Sequence, residues 1–217
     1  MSATTSSSSS SAASAGGLHL PPLATLGPLI ALLLACGFFA TQSDRFLSVQ
    51  NFSLILQQVM VVGTIAIGQT LIILTAGIDL SCGMVMALGG IVMTKLAVDS
   101  GMNAYLAIVC GMLVTMGFGL VNGLLVTRIR LPPFIVTLGT MNIAFAVTQL
   151  YSNAQTVTDL PPAMTFFGNT IAIGGAAINY GTILMIALYV FMWWGLRETQ
   201  PGRHVYAVGN NPEATRL

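Results

Sequence analysis

The sequence predicts an all-α fold, a polytopic transmembrane helical bundle with about six spans. Of its 217 residues, 55% are hydrophobic and 6% are charged, whereas a soluble domain carries about 25% charged residues. Four intervals without Asp, Glu, Lys or Arg each exceed the roughly 20 residues that a spanning helix needs; they are 46–78, 100–127, 131–158 and 160–196. Long uninterrupted apolar runs also argue against the short alternating strands of an outer-membrane barrel.

Turn-forming and polar residues divide the chain into six predicted spans. These are residues 23–40, 52–75, 80–96, 105–126, 134–151 and 181–196. The first could be mistaken for a secretory signal, but no Lys or Arg precedes it and its apolar core is longer than usual, so we predict an uncleaved span. The Ser/Ala-rich residues before it, 1–22, are predicted to form a disordered cytoplasmic tail.

The orientation follows from the Lys and Arg residues of the short loops. An N-terminus in the cytoplasm places five arginines inside, namely Arg128, Arg130, Arg197, Arg203 and Arg216. Only Arg45 and Lys95 then lie outside. The membrane-embedded core of residues 23–196 would thus be followed by a cytoplasmic loop, 197–217. Within the core, residues 152–180 would form an irregular external segment because of their Pro and Gly pairs.

A helix start signal lies close to the end of the sequence. Asn211 is a capping residue, Pro212 suits the first helical position, and Glu213 complements the helix dipole. Only about six residues follow, fewer than the 12 to 15 that an isolated helix needs. The sequence is therefore expected to be cut within a longer protein.

The residue inventory argues against an enzyme in this chain. Lys95 is the single lysine, so the phosphate-binding G-x-x-x-x-G-K-[ST] loop cannot be present. His19 and His204 have no carboxylate or Cys at metal or catalytic spacing. We therefore expect no catalytic residue, metal site or cofactor, and if ATP drives the process, a separate subunit must hydrolyse it. The net charge of +1 gives no basic face for nucleic acid.

Asp79 is the one charged residue between the second and third spans. An ionisable group near membrane depth needs a partner, a cap or water. Three interpretations are open. The first is structural: Gly77 ends one helix in the left-handed conformation, and Asp79 or Ser81 caps the next. The others are a role in a solute path or its gate, and an ion pair with a residue elsewhere.

Amide side chains accompany Asp79 in or near the predicted spans. Gln69, Asn122 and Asn142 are candidates, with Asp79, for the lining of a substrate path, since neutral amides suit a neutral polyhydroxy solute. Hydrogen bonding between helices is the alternative. The segment 119–123 begins and ends with Gly, a small-xxx-small pattern that favours close helix packing.

Several ordered segments resemble the permease family of bacterial ATP-binding-cassette (ABC) importers for monosaccharides, of the ribose, xylose and autoinducer-2 type. The similar segments are residues 68–81 (GQTLIILTAGIDLS), 122–126 (NGLLV) with 133–140 (PFIVTLGT), and 202–217 (GRHVYAVGNNPEATRL). The GIDLS segment favours the sugar branch over the branched-chain amino-acid branch. Members run roughly half as long again, so the resemblance also implies a chain cut before the second half.

The resemblance implies a subunit of the bacterial inner membrane that works with several partners. These are a cytoplasmic ABC ATPase, a periplasmic or lipid-anchored sugar-binding protein, a second permease copy, and membrane lipid. By analogy, the last segment begins the ATPase-docking loop. We expect Gly209 and Asn210 to permit its turn, Glu213 and Ala214 to lie on a short helix, and Arg216 to make a charge contact.

Two other functions compete with the sugar permease. A secondary transporter or channel would need intramembrane acids, bases or a filter, and Asp79 is the only candidate. A non-transporting membrane scaffold from a truncated gene is the other. The sequence does not specify the sugar, because the shape of a pocket decides between pentoses and hexoses.

Overall fold

The computed structural model describes residues 23–211. It divides into two units, one ending at Leu47 and one beginning at Ser48. The first unit contains α1 (Leu23–Gln42), which accommodates Pro28. Its end is followed by a turn in which the rings of Phe39 and Phe46 stack at 5.9 Å.

The second unit contains seven helices and a β-hairpin within the described residues. In chain order they are α2 (Val49–Leu74), α3 (Cys82–Val98), α4 (Ala104–Thr127), α5 (Pro133–Ser152), α6 (Pro162–Thr165), a 3₁₀ turn (Phe166–Gly168), β1 (Thr170–Ile173), β2 (Ala176–Asn179), α7 (Tyr180–Glu198) and α8 (Gln200–Asn210). All six predicted apolar helices are present, and each of their ends falls within three residues of its predicted position.

Local capping explains where several helices begin and end. Ser48 precedes α2 and its side chain accepts a hydrogen bond from the amide of Asn51. Asn103 does the same for Tyr105 at the start of α4, over 3.0 Å. At the C-terminal end of α5, Asn153 adopts the left-handed conformation that commonly ends a helix.

Helix α3 is central to the packing of the second unit, where it contacts both α4 and α5. Leu88 on α3 is 2% exposed and Ala144 on α5 is fully buried. The closest approach to α4 is at Gly89 and Gly111, where a Cβ atom added to Gly111 would lie 2.7 Å from the Gly89 carbonyl oxygen. Helix α7 packs separately against α2.

Large apolar side chains cover the outward faces of these helices, as a lipid environment requires. Leu150 is 78% exposed, for example, and both tryptophans are exposed. Four helices, α2, α4, α5 and α7, are long and apolar enough to cross a membrane, while α3 and the 26–42 part of α1 are shorter apolar helices. The fold is the predicted all-α membrane bundle with one small hairpin added.

The prediction of an irregular segment at 152–180 is wrong for its second half. Strands β1 and β2 pair antiparallel there, with Ile173 opposite Ala176. Gly174 and Gly175 both have positive φ, at 58° and 87°, which is the geometry that a two-residue hairpin turn demands. The buried hydroxyl of Ser53 on α2 accepts a hydrogen bond from the Ala177 amide and fixes the hairpin to the bundle.

The prediction of a loop from residue 197 is also wrong, because α8 occupies Gln200–Asn210. Thr199 caps this helix by accepting a hydrogen bond from the Gly202 amide. Gly209 and Asn210, expected to permit a turn, lie in its last helical turn, and Asn211 follows as the C-cap residue. The predicted tail at 1–22 and the predicted helix from Pro212 lie outside the described residues.

Candidate functional site

The loop between α2 and α3 begins with a tight helix ending. The amide of Gly77 donates to the Ile72 carbonyl over 2.9 Å, and that of Ala76 donates to Ile73 over 2.9 Å. Ala76, at φ 57°, is the left-handed residue, so the expectation that Gly77 would take this conformation is wrong. Glycine is required at position 77 for space, since a Cβ atom would lie 2.9 Å from the Ile72 side chain.

Asp79 organises the next turn of the loop. Its Oδ1 atom accepts hydrogen bonds from the amide and the hydroxyl of Ser81, at 2.7 and 2.6 Å. Ser81 is 1% exposed and occupies the N-cap position of α3, but its own side chain caps no amide. The Asp79 carboxylate thus forms a local turn around the N-cap residue and does not itself cap an amide of α3. Among residues 23–211, the ion pairs found do not include Asp79.

Two amides join this loop to the neighbouring helices. On α4, Asn122 Nδ2 donates to Ser81 Oγ over 2.9 Å, linking residues 41 positions apart. On α2, Gln69 Nε2 donates to the backbone carbonyl of Asp79, also over 2.9 Å. The other amide atoms, Gln69 Oε1 and Asn122 Oδ1, are buried and have no hydrogen-bond partner. Two of the three sequence-predicted amides are therefore brought together with Asp79: Gln69 through the Asp79 carbonyl, and Asn122 through Ser81.

Two cavities lie on either side of this cluster. The larger, about 530 Å³, is lined by α2, α3 and α4, including Gly68, Cys82 and Met112. The smaller, about 270 Å³, is lined by the α2–α3 loop, the end of α4 and the start of α5, including Thr127 and Thr137. Asp79, Gly119 and Asn122 line both cavities.

Three sequence expectations do not fit this site. Asn142 is exposed on α5 and donates to the Leu138 carbonyl of its own helix, so it does not join the cluster. Gln69 anchors the loop but lies on the lining of neither cavity. Gly119 and Gly123, predicted to pack against a helix, have open space at their Cβ positions and face the cavities instead.

Sequence reasoning considered Ser81 only as a possible helix cap, and it predicted neither the contact of Ser81 with Asn122 nor the Gly89–Gly111 crossing. A signal for Ser81 exists, because an Asp two residues before a Ser can form a local turn by bonding its amide. The crossing has a weaker signal, the Gly89-Gly90 pair. Which glycine of α4 would meet α3 depends on how the two helices are rotated, which one sequence does not specify.

Helix α8 contacts the C-terminal end of α2, next to the loop that carries Asp79. A Cβ atom on Gly209 would collide with the backbone carbonyl of Leu74, the last residue of α2, so glycine permits this approach. Leu74 is followed directly by the loop that carries Asp79. Of the expected docking residues, Gly209 and Asn210 lie on α8, while Glu213, Ala214 and Arg216 lie outside the described residues.

Comparison with known proteins agrees with this architecture. Residues 51–217 match the family model described as the permease component of the branched-chain amino acid transport system. The chain belongs to this permease family. Together with its apolar helices, the match makes it a multi-pass protein of the inner membrane. No solved structure matches it significantly.

Several curated relatives of the chain are named as sugar import permeases. The chain is 42% identical over 206 residues to a fructose import permease of Rhizobium meliloti, covering 92% of this chain and 57% of the relative. It is 36% identical to a ribose import permease of Bacillus subtilis, covering 88% and 59%. It is 31% identical to a galactose/methyl galactoside import permease of Escherichia coli, covering 88% and 61%. The chain thus spans about three fifths of the length of these relatives.

Proposed function

We propose that this chain is the membrane permease subunit of an ATP-driven importer and forms the translocation path for a small, pentose- or hexose-like sugar. The observation that carries the proposal is the pair of cavities that meet at Asp79 and Asn122, in a chain whose relatives are permeases for fructose, ribose and galactose. Asp79 is the one charged side chain among the described residues lining either cavity.

The composition of the lining supports a neutral solute. An ion would require several charged ligands or a ring of carbonyls to replace its hydration shell. Here the walls are mostly aliphatic side chains, methionines and glycines, with amide and hydroxyl groups at the junction of the cavities. Small apolar patches with a few placed polar groups are typical of sites for small organic molecules.

The proposed direction of transport rests on the predicted topology. With the N-terminus and residue 217 in the cytoplasm, the ends of α2 and α4 at Leu74 and Thr127 face inward. The smaller cavity then lies on the cytoplasmic side of Asn122 and the larger one on the outer side. A solute delivered from outside would enter the larger cavity, cross the Asp79–Asn122 junction and leave through the smaller cavity.

The proposed partners supply what this chain lacks for active import. A cytoplasmic ABC ATPase would hydrolyse ATP, a periplasmic or lipid-anchored binding protein would deliver the sugar, and a second permease copy would complete the channel. The permease itself would then be neither an enzyme nor the holder of a cofactor. Contact of Gly209 with Leu74 supports docking near α8, because a partner there would press on the helix that leads to Asp79.

Uptake of labelled monosaccharides tests this function. The assay uses a bacterial host without its own monosaccharide importers, expressing the permease with its cognate ATPase and binding protein. We expect import of at least one of D-fructose, D-ribose and D-galactose, and loss of import when the ATPase carries a substitution that abolishes hydrolysis. Import that persists with the inactive ATPase would instead favour a secondary transporter, and absence of any import would contradict the proposal.

A further inference from the structure

With Asp79 as a carboxylate, the hydrogen bonds of Asp79, Ser81 and Asn122 have a single polarity. Asp79 Oδ1 accepts from the Ser81 amide at 2.7 Å, and a carboxylate oxygen can only accept, so the Ser81 hydroxyl proton is also directed to it, at 2.6 Å. Ser81 Oγ therefore acts as the acceptor toward Asn122. The Asn122 amide must then present Nδ2 to Ser81, at 2.9 Å, and its Oδ1 atom is turned away.

Asn122 Oδ1 is consequently an acceptor without a donor. Asn122 is 8% exposed, and its Oδ1 atom has no partner in the structure. Buried amide oxygens in native proteins are nearly always satisfied by protein groups, water or a ligand. Asn122 lines both cavities, so its unpaired oxygen belongs to a residue that stands where they meet.

Resting on the proposed function, we propose that Asn122 Oδ1 accepts a hydrogen bond from a sugar hydroxyl as the sugar passes between the two cavities, and that Ser81 is the positioning residue that orients this amide. A hydroxyl is the donor that every neutral monosaccharide offers. Gly119, nearly one turn earlier on α4, has open space at its Cβ position and provides room beside Asn122. The oxygen is covered in this structure, so a sugar hydroxyl reaches it only after a local rearrangement around Asn122.

The experiment compares D-fructose with its monodeoxy analogues in the assembled transporter, for the native permease and Asn122→Leu. For the analogue that lacks the bonding hydroxyl, we expect native uptake roughly 3- to 10-fold less efficient than for D-fructose, the effect of one hydrogen bond. In Asn122→Leu this ratio should fall to about one. The binding protein discriminates equally in both assays, so the quotient of the two ratios reports on the permease alone.

Matched variants separate this role from a structural one. Asn142→Leu changes the same residue type outside the cavities and should keep the native ratio. Ser81→Ala should bring the ratio toward one, whereas Ser81→Thr, which keeps the hydroxyl, should restore it. Each uptake ratio is measured within one variant, so differences in expression between variants cancel. If Asn122→Leu does not reach the membrane, Asn122→Ala takes its place.

Two results would overturn the inference, and they are distinguishable. If Asn122→Leu lowers the uptake of D-fructose and of every analogue by the same factor, Asn122 has only a structural role, while the permease function stands. If the native assembly imports no monosaccharide, the proposed function itself is wrong and the sugar contact fails with it.

Discussion

Asp79 combines a local structural role with a position on the lining of both cavities. Its Oδ1 atom holds the Ser81 amide and hydroxyl, its backbone carbonyl holds Gln69, and its side chain remains partly exposed to the cavities. A structural role in the turn and a role in the solute path are therefore compatible at one residue. The hydrogen bonds and the negative charge of Asp79 can be tested separately, because the amide oxygen of an asparagine at this position can accept the same two bonds.

We predict that Asp79→Asn keeps the stability of the native chain, whereas Asp79→Ala lowers it by about 1 to 3 kcal/mol, because Ala leaves the Ser81 donors without an acceptor. Thermal unfolding of the detergent-solubilised protein measures this difference. Sugar uptake by Asp79→Asn then reports on the charge alone. Equal destabilisation by Asn and Ala would show that the two Ser81 hydrogen bonds do not stabilise the loop.

At the scale of elements, hydropathy was sufficient to place the six apolar helices, because each buries or exposes to lipid a continuous apolar run. It failed for α8, whose Pro201, Gly202 and Gly209 resemble a loop composition. Pro201 in fact lies in the first turn, where proline is tolerated, and both glycines are sites of close backbone approach. The hairpin was missed for a different reason: its position depends on a hydrogen bond to Ser53, which is more than a hundred residues away in the sequence.

The α3–α4 crossing is a second feature of element scale. We predict that Gly111→Ala destabilises the bundle by about 1 to 3 kcal/mol, because the new Cβ atom would lie 2.7 Å from the Gly89 carbonyl oxygen and 3.0 Å from the Met93 Cβ, neither of which is a flexible side-chain end. Gly117→Ala is the matched control on the same helix, where nothing lies within 4 Å. There the higher helix propensity of Ala should leave stability unchanged or raised by up to about 1 kcal/mol. The free energies of unfolding of both variants, measured in the same detergent, test this prediction. Equal stability of the two variants would contradict close packing at Gly111.

At the scale of the whole molecule, the cluster that joins the two cavities could not be predicted from one sequence. Asp79, Gln69 and Asn122 were identifiable as polar residues in an apolar chain, but Asn142 was equally so and lies elsewhere. Asn122 differs from Asn142 because the packing of α4 against α3 brings Asn122 to Ser81, which is 41 positions away in the sequence. Residue type gave the candidates, and tertiary contact selected among them.

The topology of the molecule decides which cavity opens to which side, and it yields the last prediction. With the N-terminus and α8 in the cytoplasm, a cysteine at Arg203, which is exposed on α8, should resist a membrane-impermeant thiol reagent in intact cells and react after permeabilisation. A cysteine at Gln155, exposed in the segment after α5, should react in intact cells. Both variants need Cys36, Cys82 and Cys110 replaced by Ser, because all three thiols are free. Labelling of Arg203→Cys in intact cells, with Gln155→Cys protected, would invert the orientation and place the smaller cavity on the outer side.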